Sequence, residues 1–255
     1  MKGLRSAFSF FTIIPIKSEL DEHLIAYVPL VALFDAALAA SLYVAIYGIS
    51  KLLASFISVS AIYIVNGLNH VDAVADAGDA MMIRNRSRIR EVFEDHDVGA
   101  GGVFTLIFVY LLALISLSSM DLYIGIFSII LAEFLSKSMM MITLHRSRPL
   151  FQGIGSLFID LYRKHDSLYT VEFVVIPIVL ALLSRASIMI SVALAFLIFI
   201  IVKMAVIRRF GGINGDLAGF IGELGRSIFL MISLIMAQSS VLSTYDILSK
   251  IMSSL

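Results

Sequence analysis

Long apolar runs fill most of this chain and restrict its fold more than any other feature. They lie at about 24–49, 52–80, 101–119, 122–144, 171–184, 186–207 and 217–238. An α-helix needs about 20 apolar residues to cross a bilayer, and it satisfies its own backbone hydrogen bonds there. With 60% hydrophobic and 15% charged residues, the chain is also far more apolar than a soluble domain. The sequence therefore predicts an all-α, polytopic integral membrane protein with about seven transmembrane helices, in a single transmembrane domain over residues 1–255.

Three segments depart from a simple transmembrane helix. Residues 1–16 combine a basic start with an apolar body and no cleavage site, so we expect an N-terminal interfacial helix that ends near Pro15. The run at 171–184 is short and contains Pro177, so we expect it to be broken or tilted. The mixed basic and apolar loop at 145–170 is expected to lie on the membrane surface or to cover a substrate.

The distribution of basic residues predicts the orientation of the chain. With the N-terminus in the cytoplasm, the inside segments hold thirteen Lys and Arg residues and the outside segments hold three. The thirteen are Lys2, Arg5, Lys17, Arg84, Arg86, Arg88, Arg90, Arg146, Arg148, Arg163, Lys164, Arg208 and Arg209. Because positive charge is retained on the cytoplasmic side, we expect a multi-pass protein of the cell membrane with its polar motifs on the cytoplasmic face.

The first polar motif is a stripe of aspartates near the end of the second apolar run. Asp72, Asp76 and Asp79 are spaced by four and three residues, so on a helix they lie within about 60° of one another. Carboxylate oxygens in this arrangement suit Mg²⁺, which takes one or two carboxylates together with substrate phosphates. The alternative is the solvated end of a long helix. His70 points about 160° away from the stripe on a straight helix, and unwinding near Gly67 would change that direction.

A second motif, RNRSRIREVFEDHDVGAGG, covers residues 84–102. Its arginines match phosphate oxygens, although they also suit lipid head groups. Asp95 and Gly99 precede a membrane span, where a glycine-rich loop that opens a helix offers N–H groups to an anion.

The third motif, GGINGDLAGFIGELG, covers residues 211–225. Asn214 and Asp216 supply oxygens and a helix N-cap, and Glu223 lies on the same helical face as Asp216. Two further charged residues, Glu133 and Lys137, are spaced as an i, i+4 ion pair, so we expect them to pair with each other.

Carboxylates and arginines on one membrane face indicate Mg²⁺-assisted phosphoryl transfer. Two alternatives stay open at this point. One is another membrane transferase, of the CDP-alcohol or prenyl type, which also places spaced aspartates around Mg²⁺ and a diphosphate. The other is an ion-coupled transporter, which would place its acidic residues near the midplane and often contains an inverted repeat.

The motifs resemble those of the cobalamin synthase family, the adenosylcobinamide-GDP ribazoletransferases. The resemblance is carried by HVDAVADAGDA at 70–80, EDHDVGAGGV at 94–103 and GGINGDLAGFIGEL at 211–224. FFTIIPI at 10–16 and YVPLVALF at 27–34 resemble the opening of that family. The resemblance covers essentially the whole chain.

The resemblance implies a reaction in which adenosylcobinamide-GDP and α-ribazole, or α-ribazole 5′-phosphate, are joined with release of GMP. The expected cofactor is Mg²⁺. The expected partners are these substrates and the lipid bilayer, with no nucleic acid. A corrinoid is bulkier than a single pocket of this chain, so a homo-oligomer that holds it in a cleft between subunits stays open.

The motifs and the resemblance together give the expected site. Catalytic roles fall to Asp72, Asp76, His70 and Asp216. Metal binding falls to Asp72, Asp76, Asp79, Asp216 and Glu223. Substrate binding falls to Arg84, Arg86, Asp95, Gly99, Asn214 and Gly215.

The chain departs from the family pattern at two places. Asn214 stands where the family usually has threonine, and His96 and Asp97 stand where it has Ser-Arg. The second difference replaces a basic residue by an acidic one, which leaves Arg84, Arg86 and His96 as candidate phosphate partners.

Overall fold

The computed structural model describes residues 2–95 and 97–253, with side chains for 2–85, 87–95 and 97–239. In this part the chain forms helices joined by turns and loops and contains no strand, as predicted. Its α-helices are α1 (Lys2–Phe11), α2 (Val28–Tyr47), α3 (Lys51–Val65), α4 (Asn69–Met82), α5 (Ile89–Glu94), α6 (Ala100–Ser118), α7 (Leu122–Leu144), α8 (Ile154–Lys164), α9 (Asp166–Leu182), α10 (Ala186–Phe210) and α11 (Gly215–Ser253). Short 3₁₀ turns lie at Leu24–Tyr27 and Arg86–Arg88.

Five of these helices are long and apolar enough to cross a membrane by themselves. They are α2 with its leading turn, α6, α7, α10 and the Gly215–Ser239 part of α11. The number rises to seven if α3 with α4, and α8 with α9, each count as one bent span. The chain is therefore a polytopic, all-α membrane protein, as the sequence predicts.

The apolar run at 52–80 forms two helices rather than one continuous helix. The axes of α3 and α4 differ by 92°. Gly67 and Leu68 adopt positive φ angles of 68° and 61°, and the Leu68 N–H donates to the carbonyl of Tyr63 over 3.0 Å. This left-handed ending is a common way to close a helix. The unwinding anticipated near Gly67 is confirmed, and it turns α4 across the end of α3.

The fifth span is also bent, but not at its proline. Helix α9 continues through Pro177, and the bend of 93° lies before it, between α8 and α9. The N-terminal helix ends at Phe11 rather than near Pro15. The segment after it is fixed by the Ile13 N–H, which donates to the carbonyl of Val65 at the end of α3 over 2.7 Å.

Contacts between helix ends define the two ends of the bundle. At one end the hydroxyl of Tyr43 donates to the carbonyl of Leu117, and the guanidinium of Arg185 lies 4.8 Å from the ring centre of Tyr123. This end holds the α2–α3, α6–α7 and α9–α10 turns. The opposite end holds α1, the α3–α4 break, α8 and the start of α11. The polar motifs of the sequence lie at this second end.

Small residues allow α4 to approach its neighbours closely. A Cβ atom on Gly102 of α6 would lie 2.7 Å from the carbonyl oxygen of Ala75. A Cβ atom on Gly219 of α11 would lie 2.9 Å from the Cβ of Ala73. Helix α4 is therefore wedged between α6 and α11, and its position depends on the absence of side chains at these glycines.

We expect Gly102→Ala to destabilise the protein, because the new methyl group meets backbone atoms of α4 that cannot move independently. Overpacking of this kind costs about 1–3 kcal/mol. Thermal unfolding in detergent measures the effect. Gly48→Ala is the matched control, because a Cβ atom at Gly48 meets nothing within 4 Å. Equal unfolding temperatures for the two variants would contradict the close packing of α4 on α6.

Candidate active site

A cavity of about 340 Å³ opens at the end of the bundle that holds the polar motifs. It is lined by α1, the start of α4, the end of α7, the start of α8 and the start of α11. Its lining residues form two chemical sets. The polar set is Asn66, Asn69, His70, Asp72 and Asp216. The larger apolar side chains are Phe10, Phe11, Met140, Met141, Leu144, Ile154 and Phe158.

Two of the predicted carboxylates, Asp72 and Asp216, face this cavity from different helices. The close approach of Ala73 and Gly219 brings α4 and α11 together beside them. Asp76 is close enough to Asp72, Asp79 and Asp216 to be repelled by each of them. Carboxylates placed together in this way are stabilised by a cation.

The carboxylates at the cavity fit Mg²⁺ if the substrate supplies further ligands. Mg²⁺ prefers oxygen and usually binds through one or two carboxylates plus substrate phosphates. Among the described side chains, those of residues 2–85, 87–95 and 97–239, no three from His, Cys, Asp or Glu converge as a complete metal site. The carboxylate oxygens of Asp72 and Asp216 therefore suit a cation that binds together with a phosphorylated substrate.

Asp79 lies on the same helix but is directed away from the cavity. Its two carboxylate oxygens accept hydrogen bonds from the backbone N–H groups of Gly99 and Gly102, over 2.7 and 2.8 Å. These N–H groups belong to the start of α6, where helix donors lack partners and a negative charge is favourable. Asp79 thus caps α6 and joins the second motif to the first.

Asn214 positions Asp216 at the start of α11. Its side-chain oxygen accepts the N–H of Leu217 over 2.9 Å, which caps the helix as predicted. Its amide nitrogen donates to the carboxylate of Asp216 over 2.7 Å. Gly215 lines the cavity, and α8 packs so tightly against it that a Cβ atom on Gly155 would lie 2.5 Å from the Gly215 nitrogen.

Glu223 and His70 belong to a buried group of charges behind the cavity. The Nδ1 atom of His70 lies 3.2 Å from Oε1 of Glu223, without the alignment of a hydrogen bond. The guanidinium of Arg226 donates to Glu223 and, over 2.7 Å, to Glu133 of α7. All three charged groups of this Arg226 cluster are about 1% exposed or less. Glu223 therefore pairs with Arg226, and its other carboxylate oxygen lies beside the His70 ring.

The predicted pair between Glu133 and Lys137 was wrong. Lys137 instead lies 3.6 Å from Asp35 of α2, and Asp35 accepts a hydrogen bond from the side chain of Asn66 over 3.1 Å. Asp35 and Lys137 are both buried within their helices, and Asn66 links them to the α3–α4 break. Tertiary partners on α2 and α11 have replaced the local pair, because each buried charge needs an opposite charge nearby.

The arginine segment lies outside the cavity lining. Arg84 and Asp95 are exposed, and Asp95 accepts the N–H of Asp97 in a local turn. The side chain of Arg86 and all of His96 lie outside the described residues, so their predicted roles stay predictions.

Several cavity residues were missed by the sequence reasoning. Asn66 and Asn69 flank the break, and Phe10, Phe11 and Phe158 come from segments far apart in the chain. The only signals were the family-like FFTIIPI opening and the apolar loop at 145–170. Helix α8 in that loop does line the cavity.

The fold and the cavity together define a polytopic membrane protein with an acidic site suited to a divalent cation and a phosphorylated substrate. The sequence model of one family, described as cobalamin-5-phosphate synthase, matches residues 3–234. The chain therefore belongs to the cobalamin-5-phosphate synthase family, and the resemblance seen in its motifs is confirmed.

Known relatives agree with this assignment. The chain is 47% identical over 254 residues to the adenosylcobinamide-GDP ribazoletransferase of Thermoplasma volcanium, covering 100% of this chain and 98% of the relative. Proteins of the same name from Picrophilus torridus and Thermococcus onnurineus are 34% and 33% identical. These two alignments cover 92% and 90% of this chain, and 98% and 96% of the relatives. No solved structure matches the chain.

We expect Asp79→Ala to destabilise the protein, whereas Asp72→Ala leaves it as stable or more stable. Removing Asp79 leaves two N–H groups of α6 without partners, which costs about 1–3 kcal/mol for a partly buried group. Removing Asp72, which is exposed and repels its neighbours, relieves repulsion. Thermal unfolding without Mg²⁺ compares the two. A larger loss for Asp72→Ala would contradict the capping role of Asp79.

We expect Arg226→Met to destabilise the protein strongly, because it leaves Glu133 and Glu223 buried without an opposite charge. Breaking a buried ion pair by removing one partner costs about 3–5 kcal/mol. Arg185→Met, at an exposed position at the other end of the bundle, is the control. Similar unfolding temperatures for the two variants would show that the Arg226 cluster does not stabilise the fold.

Proposed function

We propose that this chain catalyses the ribazole transfer for which its relatives are named. It joins adenosylcobinamide-GDP to α-ribazole or α-ribazole 5′-phosphate, releases GMP, and forms adenosylcobalamin or its 5′-phosphate. The sequence support is identity along the whole chain to a relative of that name. The structural observation that carries the proposal is the pair of carboxylates, Asp72 and Asp216, that face one cavity from α4 and α11.

The bonds that form and break in this reaction define the roles that the residues of the site must fill. The ribose hydroxyl oxygen attacks the phosphorus linked to cobinamide, the bond from that phosphorus to the bridging oxygen breaks, and GMP leaves with the electron pair. The hydroxyl proton passes to a carboxylate, for which the candidates are Asp216 in the cavity lining and Asp76, which lies outside the lining but near Asp72 and Asp216. His70 also lines the cavity. Mg²⁺, when bound, neutralises the diphosphate and the departing phosphate.

Asp72, Asp76 and Asp216 would hold Mg²⁺ together with the substrate phosphates. The predicted ligand set also includes Asp79 and Glu223. Their contacts support positioning roles instead, because Asp79 caps α6 and Glu223 binds Arg226. Asn214 orients Asp216 by its hydrogen bond. Arg84 and Arg86 remain our candidates for phosphate binding from the exposed segment beside α4.

We further propose that the protein lies in the cell membrane and that the cavity opens on the cytoplasmic side. The excess of basic residues at this end of the bundle supports that orientation. The family match and the named relatives favour ribazole transfer over a CDP-alcohol or prenyl transferase and over an ion-coupled transporter.

The direct test is GMP release by the purified protein in lipid, with adenosylcobinamide-GDP and α-ribazole. We expect turnover to require Mg²⁺ and to stop when the ion is chelated. Asp76→Asn should lower turnover by roughly 10²–10⁴-fold, the contribution of a positioned acid–base group. Asp160→Asn is the control, because this aspartate of α8 is 70% exposed and lies outside the cavity lining.

Normal GMP release by a folded Asp76→Asn protein would refute the assignment of Asp76. Undiminished release in the presence of excess chelator would refute the role of Mg²⁺. Uptake of a solute into proteoliposomes without any GMP release would refute the transferase itself.

A further inference from the structure

Three phenylalanines from two distant segments meet at the cavity. Phe10 and Phe11 end helix α1, and Phe158 lies in the middle of α8. The ring centres of Phe10 and Phe158 are 4.7 Å apart, those of Phe10 and Phe11 are 5.0 Å apart, and those of Phe11 and Phe158 are 6.2 Å apart. Phe11 and Phe158 are 4% and 5% exposed, so their rings pack α1 against α8, and the surface that the cluster leaves at the cavity is aromatic.

The walls beside the cluster are equally apolar. Met140 and Met141 of α7 and Ile154 of α8 complete this part of the lining. A flat aromatic ring without exocyclic hydrogen-bonding groups fits such a surface. Guanine suits this wall less well, because its amino and carbonyl groups would lose their hydrogen bonds with water and the apolar side chains of the wall offer none in return.

The size of the cavity also favours one small substrate. Pockets for small molecules are about 300–1,000 Å³, and this cavity of about 340 Å³ lies at the lower end of that range. A corrin ring with its side chains and adenosyl group is several times larger than a nucleoside. The corrinoid must therefore lie mainly outside this cavity, which leaves its interior to the nucleoside.

The aromatic cluster adjoins the acidic part of the cavity. The ring of His70 lies 6.5 Å from that of Phe11, and His70 belongs to the same helix as Asp72. A nucleoside whose base contacts Phe11 would therefore have its ribose beside the carboxylates. The segment that follows α1 is also joined to α8, because Lys164 at the end of α8 donates to Glu22 over 2.6 Å. This contact lowers the pKa of the exposed Glu22 carboxyl.

We propose that Phe10, Phe11 and Phe158 form the aromatic subsite, which binds the flat benzimidazole base of the ribazole substrate. This inference rests on the proposed function and adds the place and orientation of one substrate. The base lies against the aromatic subsite, and the ribose hydroxyl points toward Asp72 and Asp216.

The test compares Phe158→Leu, which keeps apolar volume but removes the ring, with Phe104→Leu. Phe104 is 70% exposed on α6, away from the cavity, so Phe104→Leu is the control for the same substitution outside the cluster. Stacking of a base on an aromatic ring contributes enough that its loss weakens binding by roughly tenfold. We expect Phe158→Leu to raise the KM for α-ribazole about tenfold and to leave the KM for adenosylcobinamide-GDP unchanged. Phe104→Leu should change neither constant.

Equilibrium dialysis of α-ribazole, without the second substrate, gives a measurement independent of turnover. Phe158→Leu should bind α-ribazole about tenfold more weakly than the original protein does. A nucleoside of unsubstituted benzimidazole should still bind, whereas guanosine should bind more weakly. Equal α-ribazole binding by both variants, or a selective rise in the KM for adenosylcobinamide-GDP, would overturn the aromatic subsite.

Failure of the proposed function would look different. The original protein would then release no GMP with any pair of substrates. Dialysis would still decide the aromatic subsite: binding of α-ribazole that depends on Phe158 would support it, and absence of such binding would overturn it.

Discussion

The right-angle break between α3 and α4 is the constraint on which the rest of the structure depends. If α3 continued straight past Val65, the aspartates would follow the line of a transmembrane helix, where charge is costly. The turn at Gly67 and Leu68 instead carries α4 across the end of the bundle, between α6 and α11. There the carboxylate of Asp72 meets that of Asp216 at a cavity, and Asp79 reaches the start of α6.

Buried charges connect this break to the membrane interior. Asn66, at the end of α3, binds Asp35, which in turn lies beside Lys137 of α7. Behind His70, Glu223 and Arg226 bridge α11 to α7 through Glu133. Such groups are costly in an apolar environment unless they are paired, so they fix which helix faces meet. The site is thus held in place by buried ion pairs on its membrane side and by close contacts of small residues between α4, α6 and α11.

The sequence predicted the spans, the motifs and their common end of the bundle, because the length of an apolar run and the distribution of basic residues can be read from consecutive residues. It did not predict partners that depend on tertiary packing. Glu133 and Lys137 have the spacing of a local ion pair. In the folded chain, however, Glu133 pairs with Arg226 and Lys137 lies beside Asp35. The capping of α6 by Asp79 joins residues twenty positions apart and has no local signature. The aromatic cluster could not be predicted either, since α1 and α8 meet only in the folded chain.

We propose that the cavity beside the α3–α4 break binds the substrate nucleoside. Because the chain has no cysteine, a single Asn69→Cys substitution places one thiol in the cavity lining. Its rate of maleimide labelling, compared with Ser87→Cys on the exposed segment nearby, tests the claim most directly. We predict that α-ribazole slows labelling at position 69 and leaves labelling at position 87 unchanged. Equal rates at position 69 with and without saturating α-ribazole, in a protein that still turns over, would contradict the account.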